Sequence, residues 1–220
     1  RPDQIKEEVG KVLKLIVEVY QKDFGFPASS FKYRLSLRDK SNKEKYIDND
    51  EMWETAESQL REILTELEIP FYEAEGEAAF YGPKIDIQIK TALNHDITIP
   101  TCQLDFALPE RFELEYTDKD GSKKRPVMIH RVCFGSIERF IGILIEHYAG
   151  AFPTWLSPVQ VKVLTISEKF NDYAEKVAQQ LEDAGIRVEK DLRSEKIGFK
   201  IREARNERTP YIIVVGEKDV

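Results

Sequence analysis

Lys84-Ile-Asp-Ile-Gln-Ile-Lys90 alternates apolar and polar residues without a break. Successive side chains of a strand point to opposite faces, so Ile85, Ile87 and Ile89 share one side and the polar residues the other. One covered face and one polar face mark an antiparallel sheet; strands of a βαβ sheet, covered on both sides, read as continuous apolar runs. From just after Leu67 to about Val132 the chain is a series of such runs separated by turns. Asp118-Lys-Asp-Gly121 is one of those turns, with glycine where a positive φ is needed. An antiparallel sheet, not a βαβ sheet, is therefore expected for this part.

Upstream, Ile5, Val9, Val12, Leu13, Ile16, Val17 and Tyr20 recur at helical spacing and predict a helix over about 3–23. Phe31 to Leu37 reads as a strand and Arg38 to Asp50 as a charged loop. A second amphipathic helix, from about Asp50 to Leu67, turns Trp53, Leu60, Ile63, Leu64 and Leu67 toward a core. The pattern changes after Pro158. Gln160–Ile166, Arg187–Leu192 and Pro210–Val215 read as strands, with helices over about 169–184 and 197–207 between them. That β-α-β-α-β series predicts a parallel α/β unit. Phe152-Pro-Thr-Trp-Leu-Ser-Pro158, with two prolines, marks the boundary.

The 220 residues suffice for one good-sized core or two modest ones. A net charge of −7 argues against loose, charge-driven binding to nucleic acid, so any RNA contact needs a local basic surface. No apolar run is long enough to span a bilayer, and no membrane partner is expected. Cys102 and Cys133 are the only cysteines; without C-x-x-C spacing they are expected to be small buried apolar side chains in a reducing, cytoplasmic setting.

Three places carry residue types suited to chemistry. Pro126-Val-Met-Ile-His-Arg-Val-Cys-Phe-Gly-Ser-Ile-Glu-Arg-Phe140 reads as a strand, a glycine break and a helix. Ile137, Phe140, Ile141, Leu144, Ile145 and Tyr148 form that helix's expected core stripe, and Arg139 lies off it in the first turn. Backbone N–H groups and the helix dipole favour an anion there, and a guanidinium suits a polyphosphate as well as it suits a surface ion pair. His130, in the preceding strand, reads as a core histidine or as one metal ligand; a zinc site needs three protein ligands. Thr101, Gln103 and Asp105 share one strand face, and Phe80-Tyr-Gly-Pro-Lys84 places Tyr81 and Lys84 around a rigid turn. These suit either a small polar ligand or a solvated edge. The third place is the mixed-charge stretch Arg187–Arg208, a solvated face or an RNA surface.

Gly135-Ser136-Ile137-Glu138-Arg139-Phe140 resembles motif 3 of the class II aminoacyl-tRNA synthetases. Val127-Met-Ile-His-Arg131, Phe80–Lys84, Thr101-Cys-Gln-Leu-Asp-Phe106, Phe152–Pro158 and Asp191-Leu-Arg-Ser-Glu-Lys-Ile-Gly-Phe-Lys-Ile-Arg202 narrow the resemblance to the threonyl-tRNA synthetase family. The match runs over nearly the whole chain in the family's order. It implies part of an α+β, antiparallel-sheet class II catalytic domain over 1–157, then a truncated α/β anticodon-binding domain over 158–220. In that family motifs 1 and 2 and two further zinc ligands precede the segment matched here. The chain is accordingly expected to be an internal segment, inactive alone.

The resemblance also implies roles for single residues. Arg139 would hold the ATP γ-phosphate with Ser136 beside it, and Tyr81, Lys84, Thr101 and Gln103 would bind L-threonine. His130 would be one Zn²⁺ ligand, the metal meeting the threonine amino and hydroxyl groups, with Mg²⁺ on the ATP phosphates. Ser194, Lys196, Arg202, Arg208, Lys218 and Asp219 would fall at or near positions that contact the anticodon of tRNA(Thr). Thr98 and Pro100 stand where many relatives carry glutamine and glycine, Ser194 where they carry asparagine, and Asp219 where they carry glutamate. A homodimer is expected for the full-length enzyme. A non-catalytic tRNA-binding or regulatory module and a related prolyl or histidyl enzyme are the competing readings.

Overall fold

Ile85, Ile87 and Ile89 are fully buried, as are Leu35, Cys102 and Leu104 on the flanking strands. The computed structural model describes residues 1–220 and divides them into two compact units, Arg1–Ile143 and Leu144–Val220. The first unit contains α1 (Ile5–Glu18), β1 (Phe31–Leu37), α2 (Asp50–Glu66), β2 (Phe71–Glu75), β3 (Lys84–Lys90) and β4 (Asp96–Asp105). A short helix α3 (Ala107–Arg111), the hairpin β5 (Tyr116–Thr117) and β6 (Lys123–Lys124), β7 (Met128–Val132) and the start of α4 (Ile137–Tyr148) follow.

The five-stranded sheet has the order β2-β1-β3-β4-β7. β1–β3, β3–β4 and β4–β7 pair antiparallel, as the alternation predicts. β2 departs from that expectation, because it pairs with β1 in parallel. Helix α2, with 17 residues, is the crossover between them, so a βαβ unit stands at one edge. Five short residues of β2, mostly exposed, carry no long apolar run that would reveal the parallel pairing. Helix α1 packs on β4 and α2, and α2 packs on β1. Val9, Leu13, Ile16, Trp53, Leu60, Ile63 and Leu64 are the side chains they bury. Asn49 caps α2, its side chain accepting the Met52 N–H at 3.0 Å.

Two backbone features shape the polar face of this sheet. Between β3 and β4 the register shifts: Asp86 faces Thr101, but Gln88, two residues on, faces Thr98, three residues back. β4 holds one extra residue there, next to Pro100, which has no N–H to donate to a ladder. The bulge reverses the alternation, so Thr98 joins Thr101 and Gln103 on one face. The second feature is the turn at Gly82. A Cβ built there would lie 1.9 Å from the Leu104 carbonyl oxygen, so only glycine lets the Phe80–Pro83 corner close on β4.

Helix α4 corrects the expected stripe. Phe140, Ile143 and Leu144 are buried, whereas Ile137, Ile141 and Ile145 are 56%, 47% and 49% exposed. At 100° per residue the i, i+4 row of isoleucines lies to one side of the buried residues, so a broad apolar stripe need not be covered throughout. The start of α4 is nevertheless anchored. Phe134 and Phe140, with ring centroids 4.7 Å apart, pack against Tyr20 and Phe24, where α1 widens into a π-helical turn. The Tyr20 hydroxyl donates to the Cys133 carbonyl at 2.7 Å.

The second unit follows its prediction. β8 (Val161–Thr165), α5 (Asn171–Asp183), β9 (Val188–Asp191), α6 (Ile197–Asn206) and β10 (Tyr211–Val215) form a three-stranded parallel sheet in the order β10-β8-β9. Val161, Val163, Ala174, Ala178 and Val215 make its core. Lys200, on the buried side of α6, donates its ammonium to the carbonyls of Thr165 and Asp191, each at 3.0 Å. No helix in either unit is long and apolar enough to cross a membrane.

Gly82 and Gly10 of the first unit make a paired prediction. Gly82→Ala must push the Leu104 carbonyl away and should cost about 1–3 kcal/mol. Gly10→Ala, inside α1 with no atom within 4 Å of the new methyl, should stabilise by up to about 1 kcal/mol. Urea unfolding midpoints check both signs.

Candidate functional site

The register of β3, β4 and β7 builds the site. Lys84 faces Gln103, Gln103 faces His130, and Asp86 faces Thr101, so these five side chains belong to one surface of the sheet. The Phe80–Pro83 corner brings Tyr81 over them. Its hydroxyl donates to Gln103 Oε1 at 2.8 Å, and its ring meets the His130 ring edge-on at a centroid distance of 5.6 Å. Burial, with the Asp105 charge adding to it, pushes the Tyr81 phenol above its usual range, so it remains a donor at neutral pH. Tyr81, Lys84, Thr101, Gln103 and His130 are all half-buried: open enough to meet a ligand, held well enough to have one geometry.

Two buried carboxylates lie beneath them: Asp105, expected on this face as a displayed group, and Asp86, which the sequence did not single out. Asp105, on the expected face, is not displayed to a ligand; it is fully buried. Its Oδ1 accepts the N–H groups of Ala107 and Leu108, each at 2.9 Å, and its Oδ2 lies 2.7 Å from His130 Nε2. A carboxylate at Nε2 sets that nitrogen as the donor and leaves Nδ1 as the free acceptor of a neutral ring. Asp86, also fully buried, gathers Arg34 Nη2 at 2.8 Å, Ser36 Oγ at 2.7 Å and the Lys84 ammonium on a single oxygen, Oδ2. The alternation of β3 shows which way Asp86 points, but its cross-strand partners are set by pairing with β1, 50 residues away in sequence.

Arg139 and Ser136 lie at the start of α4, not on the sheet. Ser136 immediately precedes α4, with its Oγ accepting the Arg139 N–H at 3.3 Å and its carbonyl accepting the Phe140 N–H at 3.1 Å. The Arg139 side chain is exposed, and no ion pair or hydrogen bond occupies its guanidinium. The surface ion pair that the spacing allowed is therefore not formed. Gly135, with φ +61°, makes the break that turns the chain from β7 into α4.

The chain does not assemble a complete zinc site. No group of three or more His, Cys, Asp or Glu side chains is placed to hold a metal ion, and His130 has one carboxylate neighbour. The donor set of these residues alone does not fit zinc. The cysteines are free; burial pushes the Cys102 thiol up to about 12, while Cys133 is only half-buried, less enclosed than expected.

In the second unit the candidate residues are all exposed. Ser194 and Lys196 follow β9, and Lys218 and Asp219 follow β10, so four of them lie at the carboxyl ends of parallel strands, where open α/β sheets bind ligands. Asp219 is partly spent on structure: its carboxylate accepts the Gly216 N–H at 2.8 Å. Arg202 lies on α6 over the Phe199 ring. Arg208 follows the end of α6, opposite to the end that Lys196 precedes. Arg193 holds Asp191 in a bidentate pair that keeps this carboxyl below its usual range.

Residues 1–148 match the family model described as tRNA synthetase class II core domain (G, H, P, S and T), and residues 160–220 match the anticodon binding domain. The threonine–tRNA ligase of Geobacillus kaustophilus is 58% identical over 221 residues, which is all of this chain and 33% of that protein. The threonine–tRNA ligase of Geobacillus sp. strain WCH70 is likewise 58% identical, with 34% of its length covered. The chain thus spans about a third of the length of these curated relatives. Among solved structures, the RNA binding domain of threonyl-tRNA synthetase from Cryptosporidium parvum superposes with a TM-score of 0.90 at 40% identity, covering 100% of this chain and 53% of that one.

The Asp105 contact makes a direct spectroscopic prediction. Nitrogen-15 correlation spectra of neutral His130 should show the proton on Nε2 with Nδ1 bare. Asp105→Asn should turn this into a mixture of tautomers, and an Nδ1-protonated ring in the unmodified chain would contradict the assignment.

Proposed function

We propose that this chain, which belongs to the class II tRNA synthetase core-domain family and continues into an anticodon-binding domain, carries part of the working centre of a threonine–tRNA ligase. The full-length gene product containing it would join L-threonine to ATP as threonyl-adenylate and pass the threonyl group to tRNA(Thr). The observation that carries the reading is the polar surface of β3, β4 and β7, where Tyr81, Lys84, Thr101, Gln103 and His130 converge. Residues 1–157 would belong to the catalytic domain and 158–220 to the anticodon domain.

In the first step the threonine carboxylate attacks the α-phosphorus of ATP, and pyrophosphate leaves. In the second, a terminal tRNA hydroxyl attacks the acyl carbon, losing its proton as AMP departs. Neither step requires a nucleophile from the protein. Positioning and charge stabilisation supply the catalysis, and Mg²⁺ neutralises phosphate charge when bound. Lys84 is the cation of the polar surface and suits a carboxylate or the adenylate phosphate. Tyr81 fixes the Gln103 amide through its hydroxyl, which orients that amide toward the ligand. The unpaired Arg139 guanidinium, with Ser136 at the same helix start, suits the departing pyrophosphate.

Threonine and valine differ by a hydroxyl for a methyl, and an apolar pocket separates them poorly. A site that must satisfy the hydroxyl rejects valine by orders of magnitude. The surface built by Gln103, Thr101 and His130 is polar in that sense. His130 would contribute one zinc ligand through Nδ1, the remaining ligands coming from elsewhere in the gene product. Ser194, Lys196, Arg202, Lys218 and Asp219 would meet anticodon bases and phosphates, with Arg208 reaching the RNA separately. A homodimeric, cytoplasmic enzyme is the form this reading carries with it.

In the full-length gene product, Arg139→Ala should lower threonine-dependent ATP–pyrophosphate exchange by about 100-fold or more. Near-normal exchange would remove the role given to Arg139. His130→Ala should lower zinc stoichiometry and narrow the preference for threonine over valine. A panel including proline and histidine separates the related enzymes, and exchange with none of these amino acids would favour a non-catalytic RNA-binding module.

A further inference from the structure

We propose that Asp86 is a positioning residue for the amino-acid site, fixing the Lys84 ammonium through a carboxylate that Arg34 and Ser36 hold in place. The proposal rests on the reading of the polar surface given above. A buried carboxylate must be compensated, and Asp86 is fully buried. Its compensation is one-sided: Arg34 Nη2, Ser36 Oγ and Lys84 Nζ all converge on Oδ2, while Oδ1 has no partner. Three donors on one oxygen leave the carboxylate no freedom to rotate.

Arg34 is itself braced from the far side. Its Nη1 lies 3.2 Å from Glu77 Oε2, so the guanidinium is held between two carboxylates. Ser36 and Arg34 come from β1, whereas Lys84 precedes Asp86 by two positions on β3, the same-face spacing of a strand. The support on β1 is thus independent of Lys84, and Asp86 would remain anchored if the lysine were removed. The converse does not hold. Lys84 is a long, flexible cation with a single ion-pair partner, Asp86, and without it the ammonium would face Arg34 with no intervening charge. Lys84 is half-buried, so its remaining N–H bonds are available on the side where Gln103 and Thr101 lie. Asp86 and Arg34 supply the order; Lys84 supplies the contact.

The test is a double-mutant cycle in the full-length gene product, read by ATP–pyrophosphate exchange. Asp86→Asn should raise the KM for the amino acid at least ten-fold while changing the KM for ATP less than two-fold. In a Lys84→Met background the same substitution should change the amino-acid KM less than two-fold, because the residue it acts through is gone. An equal effect in both backgrounds would assign Asp86 a general structural role, and no effect in either would also overturn the proposal. Ser36→Ala, which removes one donor and keeps the charge, should give a smaller rise with the same dependence on Lys84; it carries the comparison if Asp86→Asn does not fold. The unmodified protein is first assayed across an amino-acid panel. Activity with an amino acid other than threonine overturns the threonine reading alone, and the cycle is then read on that amino acid. Exchange with no amino acid contradicts both.

Discussion

Burial of Ile85, Ile87 and Ile89 is the constraint on which the site depends. Each such side chain contributes about 1.5–3 kcal/mol when taken out of water. A slip of one residue would exchange the faces, exposing all three and burying Lys84 and Gln88. The register of β3 is therefore strongly fixed, and with it the neighbours of every polar residue on the opposite face. Lys84 opposite Gln103, and Gln103 opposite His130, follow from packing that occurs on the other side of the sheet.

That polar face is organised from below by two buried carboxylates. Asp105 is held by the backbone at the start of α3 and turns His130; Asp86 is held by β1 and turns Lys84. Each takes its anchor from one structural element and presents its effect on another. A half-buried lysine and histidine on a strand would otherwise be free to choose among rotamers, a freedom these contacts remove. Arg139 follows a different logic. Its helix start is fixed by the Phe134–Phe140 cluster, but its guanidinium is left exposed and unpaired, as a group that waits for an anion would be.

Much of this was legible in the residues themselves. The period of two in Lys84–Lys90 and the change of pattern after Pro158 carry the sheet and the second unit, because alternation reports directly on burial. The parallel β2 was not legible, since parallel pairing depends on where α2 returns the chain. Nor was the exposure of Ile137, Ile141 and Ile145 on α4, because a hydrophobic stripe does not say which part is covered. At the candidate site, motif and face point to Tyr81, Lys84, Thr101, Gln103 and His130, and these side chains do share one surface. Asp86 and Asp105 were missed as supports, and the bulge at Pro100 that brings Thr98 onto the face of Thr101 and Gln103 was not foreseen. Their importance lies in burial and in partners up to 52 residues distant, neither of which alternation reveals.

The most direct measurement is a crystal structure of the full-length gene product with a non-hydrolysable threonyl-adenylate analogue. The threonyl group should lie on the β3–β4–β7 surface, within hydrogen-bond reach of Tyr81, Gln103 and Lys84, with Asp86 still bound to Lys84 and Arg34. An analogue lodged elsewhere, with those side chains facing only solvent and one another, would contradict the account.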